Sequence, residues 1–398
     1  MSAYIIFTIL LLFLSYISFF AFYLLFWLIV SLFYKPDEEK YDTLNLNRFA
    51  IIIPAHNEEL LIGQLLGSAN KIDYPGDLYQ VIVIADNCND RTEHIAKEKG
   101  AHCFSRTDTK KKGKPYALEW IFKQIDIDKY DGFVIVDADS TIGTNFLRVM
   151  NYSLNQGSQI IQGYFGILNP DESWLTRLMV IPGVLKYYYR YRGKKIFNFT
   201  CPLMGNGMCF SRQIIKQYGW DALSLTENWE YYIKSVIRGH IPTYAEAYIY
   251  SQTASTTKQG AIQRKRWFKG KLQCVKNYIL TLIILGIKRK DLKFFDCAIE
   301  LIMPSISMMQ NFSILLSFIS FLLFMSRSEF LPLLVWSLIL QTFIFGYFVF
   351  GIAMNHSSRE TWMALGKAPF FLIWKIITTS HAIFTFKNQE WIKTKRKR

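Results

Sequence analysis

From Tyr4 to Tyr34 the chain carries no charged residue and is rich in Leu, Ile and Phe. A helix crosses a bilayer with roughly 20 apolar residues, so this run is long enough to span with room for tilt. It argues against a purely soluble enzyme, because such a helix has no polar face to turn toward solvent. A cleaved signal peptide would need a basic start, an apolar core of about 7–15 residues and a small-residue cleavage site. No Lys or Arg precedes the run, and it ends in Phe33-Tyr34-Lys35-Pro36. It reads as an uncleaved span.

Two later runs have the same character. Ile299–Met325 holds one acidic residue, Glu300, and a Pro304 able to kink it, and Phe330–Met354 holds no charge. The connector Ser326-Arg327-Ser328-Glu329 allows only a tight turn, so the two form an antiparallel hairpin. A fourth stretch, 369–386, is shorter and contains Lys375 and His381. Cationic flanks set the orientation, since Lys and Arg stay on the cytoplasmic side. They are Lys35 and Lys40, then Lys288, Arg289, Lys290 and Lys293, then Arg359 and Lys367, and finally a tail, 387–398, with six basic residues and one acidic. Three spans with the N-terminus outside satisfy all four clusters. The stretch 369–386 then lies in the interface or re-enters. These flanks account for 46 Lys+Arg against 31 Asp+Glu, a net charge of +15. The partner expected for the tail is anionic lipid, with no nucleic acid.

Residues 36–296 alternate short β-rich runs with helix-compatible stretches, which divides the chain into 1–35, 36–296 and 297–398. Ala50–Pro54, Val81–Ala85 and Gly132–Val136 are near-continuously apolar, as strands buried on both faces of a parallel sheet are. Helix-like segments at 60–69 and 93–100 follow the first two, and the β-α-β-α-β order points to a doubly wound α/β domain. Ligands of such sheets bind at the carboxyl ends of the strands. There the chain carries Pro54-Ala55-His56-Asn57-Glu58, Asp86-Asn87-Cys88-Asn89-Asp90 and Asp137-Ala138-Asp139-Ser140. No Gly-x-Gly-x-x-Gly or Walker loop is present, which argues against a dinucleotide or P-loop site. Two Asp one residue apart at a strand end can hold Mg²⁺ or Mn²⁺ against a diphosphate; the alternative is a solvated Asp turn. Asp137-Ala138-Asp139-Ser140-Thr141 also fits the nucleophile loop of haloacid-dehalogenase-like phosphatases, with Asp137 phosphorylated. That fold would start at this strand and carry a later Gly-Asp strand end, and neither feature is found. The six Cys residues, Cys88, Cys103, Cys201, Cys209, Cys274 and Cys297, have no Cys-x-x-Cys spacing. This excludes a disulfide scaffold and gives no zinc signal.

The ordered set Pro54–Glu58, Ala85–Asp90, Asp137-Ala138-Asp139, Thr226-Glu227-Asn228 and Gln263-Arg264-Lys265-Arg266-Trp267 resembles membrane-bound glycosyltransferase family 2. The cellulose synthases and hyaluronan synthases belong to that family, and the bacterial exopolysaccharide or capsule enzymes look most similar. The resemblance covers about residues 48–270. It implies an α/β GT-A-type domain with a Rossmann-like, mostly parallel sheet and transmembrane helices at both ends. It further implies an inverting hexosyl- or N-acetylhexosaminyl-transfer from a nucleotide-diphosphate sugar, a UDP-sugar foremost, with Mg²⁺ or Mn²⁺. The implied acceptor is lipid-linked or a polysaccharide at the cytoplasmic membrane face, with membrane lipids and other polysaccharide-assembly proteins as partners. By the same resemblance, Pro54, His56 and Glu58 line the nucleotide loop, Asp86 meets base or ribose, and Asp139 is the metal ligand with Asp137 on the donor. Lys114 would neutralise phosphate. Gln263, Arg266 and Trp267 would form a lid, Arg on the diphosphate and Trp beside the acceptor.

The chemistry asks for these types. A leaving diphosphate needs cations, and guanidinium pairs bidentately with its oxygens. The acceptor hydroxyl needs a base. Here the sequence departs from the resemblance, because the Asp expected as base after Thr-Glu is Asn228, and an amide cannot take the proton. Glu227 and Glu230 are the alternatives, or the chain is an impaired assembly subunit; Asn228 could instead cap the helix that follows. A single-transfer glycolipid synthase is the second enzymatic reading. Gly205-Asn206-Gly207 could let backbone approach an acceptor sugar, or be a plain turn. Trp174, Tyr187, Tyr188, Tyr189 and Tyr191, flanked by Lys186, Arg190 and Arg192, read as an amphipathic interface helix, as does 272–287.

Overall fold

The structure is a computed structural model, and it describes residues 2–36, 41 and 45–385, with side chains from residue 5. The basic tail and Lys40 lie outside the described residues. The chain forms two compact units. One holds the chain up to Tyr34 with Pro170–Ile196 and Ile302–Thr385; the other holds Lys35–Asn169 and Phe197–Leu301.

The second unit is built on an eight-stranded sheet, β1 (Phe49–Ala55), β2 (Tyr79–Asp86), β3 (His102–Arg106), β4 (Gly132–Ile135), β5 (Ser140–Ile142), β6 (Ile160–Ile167), β7 (Met208–Ser211) and β8 (Thr243–Ser251), in the order β3-β2-β1-β4-β7-β6-β8-β5. β1 runs parallel to both β2 and β4, with Phe49 level with Tyr79 and Gly132. Its alternate residues enter two cores. Ala50 and Ile52 join Ile82, Ile84, Phe133 and Ile135 on one face, while Phe49, Ile51 and Ile53 join Val83, Val134 and Val136 on the other. Continuous apolar character is what a doubly covered strand requires. β7 then runs antiparallel to β4 and β6, and β5 antiparallel to β8, so the sheet is mixed. β3 intervenes where the sequence pattern runs directly from β2 to the Gly132 strand. Its His-Cys-Phe-Ser-Arg composition sits at the sheet edge, where one side needs no apolar cover.

The first unit is helical. Ser2–Ser31 is one helix; Ile306–Ser326 and Leu331–Met354 form the hairpin, and Ala368–Phe384 follows. Ser313, Ser317, Ser320 and Ser337 are buried on the hairpin, where small side chains let helices approach. The aromatic stretch from Trp174 to Arg192, read from sequence as an interface helix of the middle domain, lies within Pro170–Ile196, which packs inside this unit. A Cβ on Gly193 would stand 2.5 Å from the Trp27 carbonyl oxygen, and Tyr187 and Tyr191 are fully buried. The second run also begins later than its hydropathy indicates. Ile299–Ile302 ends a separate helix, Leu292–Ile302, and the next starts at Ile306. Pro304 lacks an N–H and disfavours helix at the residue before it, so the chain breaks there instead of kinking.

Four helices are long and apolar enough to cross a membrane among the described residues: Ile5–Ser31, Thr257–Arg289, Ile306–Ser326 and Ser328–Met354. The second of these absorbs the interface segment 272–287 into one continuous helix.

Candidate active site

The site is assembled at the carboxyl ends of β1, β2 and β4. After β1 the chain reverses at Asn57 and after β2 at Asn87, both with positive φ, a conformation that Asn tolerates. Their side chains tie the loops: Asn57 Oδ1 accepts from Asn89 N at 2.9 Å and Asn87 Oδ1 from Asp108 N at 2.9 Å. Pro54 stands within β1, level with Ile84. His56 Nδ1 donates to the Asp86 carbonyl at 2.7 Å, and Glu58 N donates to Thr92 Oγ1 at 2.7 Å. Asp90 holds Thr92 in place through its hydroxyl, at 2.6 Å. The Asp-Asn-Cys-Asn-Asp run therefore braces the first loop.

Asp86 is 3% exposed. Its Oδ1 accepts from Arg106 Nη1 at 2.5 Å and from Asn87 Nδ2 at 3.0 Å, and its Oδ2 accepts from Gly113 N at 3.3 Å. Arg106, absent from the sequence expectations, also reaches Asp108 at 3.0 Å and the Lys111 carbonyl at 2.7 Å.

A second cluster lies at β4. Lys114 opens the helix Lys114–Ile121. Its Nζ donates to Asp137 Oδ1 at 2.5 Å and to the Gly205 carbonyl, and stands 3.9 Å from Glu227 Oε1. Asp139 is 6% exposed, and its Oδ1 accepts from Ser251 Oγ on β8 at 2.6 Å. The Gly205-Asn206-Gly207 segment has φ of +89° and +65° at its glycines, conformations open to residues without Cβ. Fully buried Asn206 accepts from Asp137 N at 3.0 Å and donates to Ser140 Oγ at 2.9 Å. Gln162, on β6, accepts from Met204 N at 2.7 Å and donates to the Asn206 carbonyl at 2.9 Å.

Thr226 precedes the helix Glu227–Arg238. Asn228 does not cap it. It sits inside the first turn, and its Nδ2 donates to the Leu203 carbonyl at 2.6 Å. Burial pushes the Glu227 carboxyl above its ordinary value; Lys114 opposes this, Asp137 adds to it and Arg266 opposes it. Glu230 goes the other way. Against the burial that raises it, hydrogen bonds from Lys234 and Ser224 hold it below the ordinary value. Glu230 Oε2 accepts from Ser224 N at 2.9 Å, Oε1 accepts from Tyr278 OH at 3.3 Å, and Lys234 lies 2.9 Å away. The structure thus joins Glu227, and not Glu230, to Lys114 and Asp137.

The helix Thr257–Arg289 carries the Gln-x-x-Arg-Trp residues. Gly270 and Cys274 seat it on Thr226: a Cβ at Gly270 would fall 2.4 Å from Thr226 Cγ2, and the Cys274 thiol lies 3.8 Å from Thr226 Oγ1. Arg266 is close enough to act electrostatically on Glu227. Gln263 Oε1 is buried with no hydrogen-bond partner among the described residues, and Trp267 is 44% exposed.

No three His, Cys, Asp or Glu residues gather as a metal cage among the described residues. Asp137 and Asp139 fit a hard cation all the same, because Mg²⁺ or Mn²⁺ binds one or two carboxylates and completes its shell with substrate phosphate oxygens and water. The donors are all oxygen, as that chemistry needs.

A mixed α/β sheet with acidic loops at its strand ends, joined to a Gln-x-x-Arg-Trp helix, defines the GT-A-type class. Residues 47–270 match glycosyltransferase-like family 2, and the chain belongs to that family. It is 28% identical over 255 residues to the probable glycosyltransferase YdaM of Bacillus subtilis, across 61% of this chain and 60% of that one. It is 25% identical over 248 residues to the beta-monoglucosyldiacylglycerol synthase of Synechocystis sp., across 59% of this chain and 50% of that one. The match thus spans half to three fifths of these relatives. Among solved structures, the mannosyltransferase PcManGT from Pyrobaculum calidifontis, in complex with GDP-Man and Mn²⁺, shares the fold, with a TM-score of 0.50 at 15% identity over 86% of this chain and 99% of its own.

Proposed function

We propose that the protein is an inverting glycosyltransferase that moves a hexosyl group from a nucleotide-diphosphate donor, a UDP-sugar foremost, to the hydroxyl of a membrane-lipid acceptor. The observation that carries this is Lys114, whose ammonium bridges Asp137 and the Gly205 carbonyl beside Glu227. A donor carboxylate, a phosphate-neutralising cation and a buried base candidate then share one small volume. Arg266 adds a second cation for the leaving diphosphate, and the unpartnered Gln263 oxygen a waiting acceptor. A divalent cation held by Asp139 and Asp137 supplies further charge neutralisation when bound. Pro54, His56, Glu58 and Asp86 line the nucleotide side; Gly205, Asn206, Gly207 and Trp267 line the acceptor side.

A lipid acceptor is favoured by the likeness to a diacylglycerol-linked glucosyl synthase and by the four apolar helices. A growing polysaccharide is the second reading, and products separate the two: one adduct against a ladder of lengths. We further propose that the α/β unit and the tail face the cytoplasm. The helix Thr257–Arg289 then lies along the membrane surface without crossing it, because Cys274 and Leu282 are buried in the α/β core while Leu280, Ile284 and Ile287 stay exposed. A reporter fused at the C-terminus and active only outside the cytoplasm would overturn that orientation.

The test is nucleotide-diphosphate release by detergent-purified protein across a panel of sugar nucleotides, with Mg²⁺ or Mn²⁺ and lipid acceptors. Release from one donor is expected, lost on chelation and in Asp139→Asn. No release from any donor, with lipids present, would favour the impaired-subunit reading.

A further inference from the structure

Three side-chain amides converge on one short loop. Gln162 accepts from Met204 N and donates to the Asn206 carbonyl; Asn206 accepts from Asp137 N; Asn228 donates to the Leu203 carbonyl at 2.6 Å. The backbone of Leu203, Met204 and Asn206 is thereby pinned, and the carbonyl between them, that of Gly205, accepts from Lys114. We propose that Asn228 is a positioning residue whose amide holds this loop so that Gly205 seats Lys114, and that Glu227 is the proton acceptor of the transfer. This assignment rests on the transferase reading above.

The Asn228 amide N–H donates to the Leu203 carbonyl, and an ionised carboxylate has no proton to donate. An aspartate of the same shape offers oxygen where a donor is needed, so its charge would face a buried carbonyl at 2.6 Å and be driven away. Leu203 is fully buried, so no water replaces the lost donor. Position 228 is therefore built for an amide, and a carboxylate there opens the loop it should serve.

Glu227 and Glu230 differ in their partners. Glu230 is spent on Ser224 N, Tyr278 and Lys234. Glu227 has Lys114 at 3.9 Å and faces Gly205, where a Cβ would stand 3.9 Å from its Oε1. The absent side chain leaves room for a hydroxyl in front of the carboxylate. Lys114, on the helix Lys114–Ile121, Asp137 after β4, and Arg266, on the helix Thr257–Arg289, are the charges acting on Glu227. Its burial, which raises its proton affinity, suits a base better than the lowered affinity of Glu230. In the step itself, the acceptor oxygen bonds to the anomeric carbon as that carbon's bond to the diphosphate oxygen breaks. The electron pair leaves with the nucleoside diphosphate, and the hydroxyl proton passes to Glu227.

The experiment compares variants of the full chain for transfer rate, donor affinity and melting temperature. Glu227→Gln is expected to lose at least about 100-fold in turnover with donor binding retained. Asn228→Asp is expected to lose activity, not gain it. Asn228→Ala, which puts no charge at the site, covers the case in which Asn228→Asp does not fold. If Asn228 acts through Lys114, the Asn228→Ala/Lys114→Ala pair matches Lys114→Ala alone within about twofold, because the two changes break one linkage. Faster turnover in Asn228→Asp, fully multiplicative losses in the double variant, or a Glu227→Gln enzyme less impaired than Glu230→Gln would each overturn the proposal while leaving the transferase reading intact. A wild-type protein with no transfer from any donor would overturn both.

Discussion

Two ion-paired clusters stand at the same end of the sheet and differ in how closed they are. The side chains of Asp86 and Arg106 are each 5% exposed, and the pair is held by Asn87, Asp108, Lys111 and Gly113 from the loops around it. Lys114, Asp137 and Glu227 are 19%, 37% and 13% exposed, and one ammonium serves two carboxylates. Each oxygen or donor in the first cluster that leaves its partner strands a buried charge, so the pair acts as architecture. In the second, Lys114 and Arg266 both act on Glu227, and part of the cluster faces solvent. Such a set rearranges at lower cost than the closed pair, because solvent screens the charges that move.

The closed pair is the costlier of the two to disrupt. Arg106→Leu leaves Asp86 buried and unpaired, which costs about 3–5 kcal/mol; a melting curve in detergent reads it, and a loss below about 1 kcal/mol would place Arg106 with the open cluster. Lys114→Met gives the reverse pattern. Turnover drops about 100-fold, as when one preorganised donor is lost, while the melting temperature stays close to that of wild type. Gly270→Ala moves the open cluster without touching a charge. The new Cβ presses on Thr226, one residue before Glu227, and overpacking of this kind costs about 1–3 kcal/mol; severalfold slower transfer with unchanged donor affinity is the accompanying expectation. The smallest effect is in acid. The carboxyl of Glu230 is held below its ordinary value, so its contribution is fully present above about pH 4.3 and fades as pH falls through the lowered value. Glu230→Gln removes that component, and acid melts of variant and wild type converge at low pH.

Much of this architecture is legible without coordinates. Ile51-Ile52-Ile53 and Val81-Ile82-Val83-Ile84 announce doubly covered strands because burial on both faces leaves no polar position in the run. His102–Arg106 hides because an edge strand carries no such run. The break at Pro304 is visible as a residue, but only the separate packing of Phe294, Cys297 and Leu301 into the α/β core shows that the preceding turns belong elsewhere. The placement of 170–196 was hidden for a related reason: aromatic rings with cationic flanks look alike whether they face a membrane interface or fill a helical core.

The site divides along the same line. Local sequence determined which carboxylates end the strands, that an Asp-x-Asp pair follows β4, and that Asn stands after Thr226-Glu227, because strand ends and loop chemistry are properties of neighbours along the chain. Tertiary structure alone decided what each group is free to do. Asp139 is held by Ser251, 112 residues away, and Lys114 is held by the Gly205 carbonyl, 91 residues away. Glu227 and Glu230 lie one turn apart on one helix, and only the partners brought in by other elements distinguish a committed carboxylate from an available one. Hydrogen bonds act over about 3 Å, a distance that sequence separation does not measure.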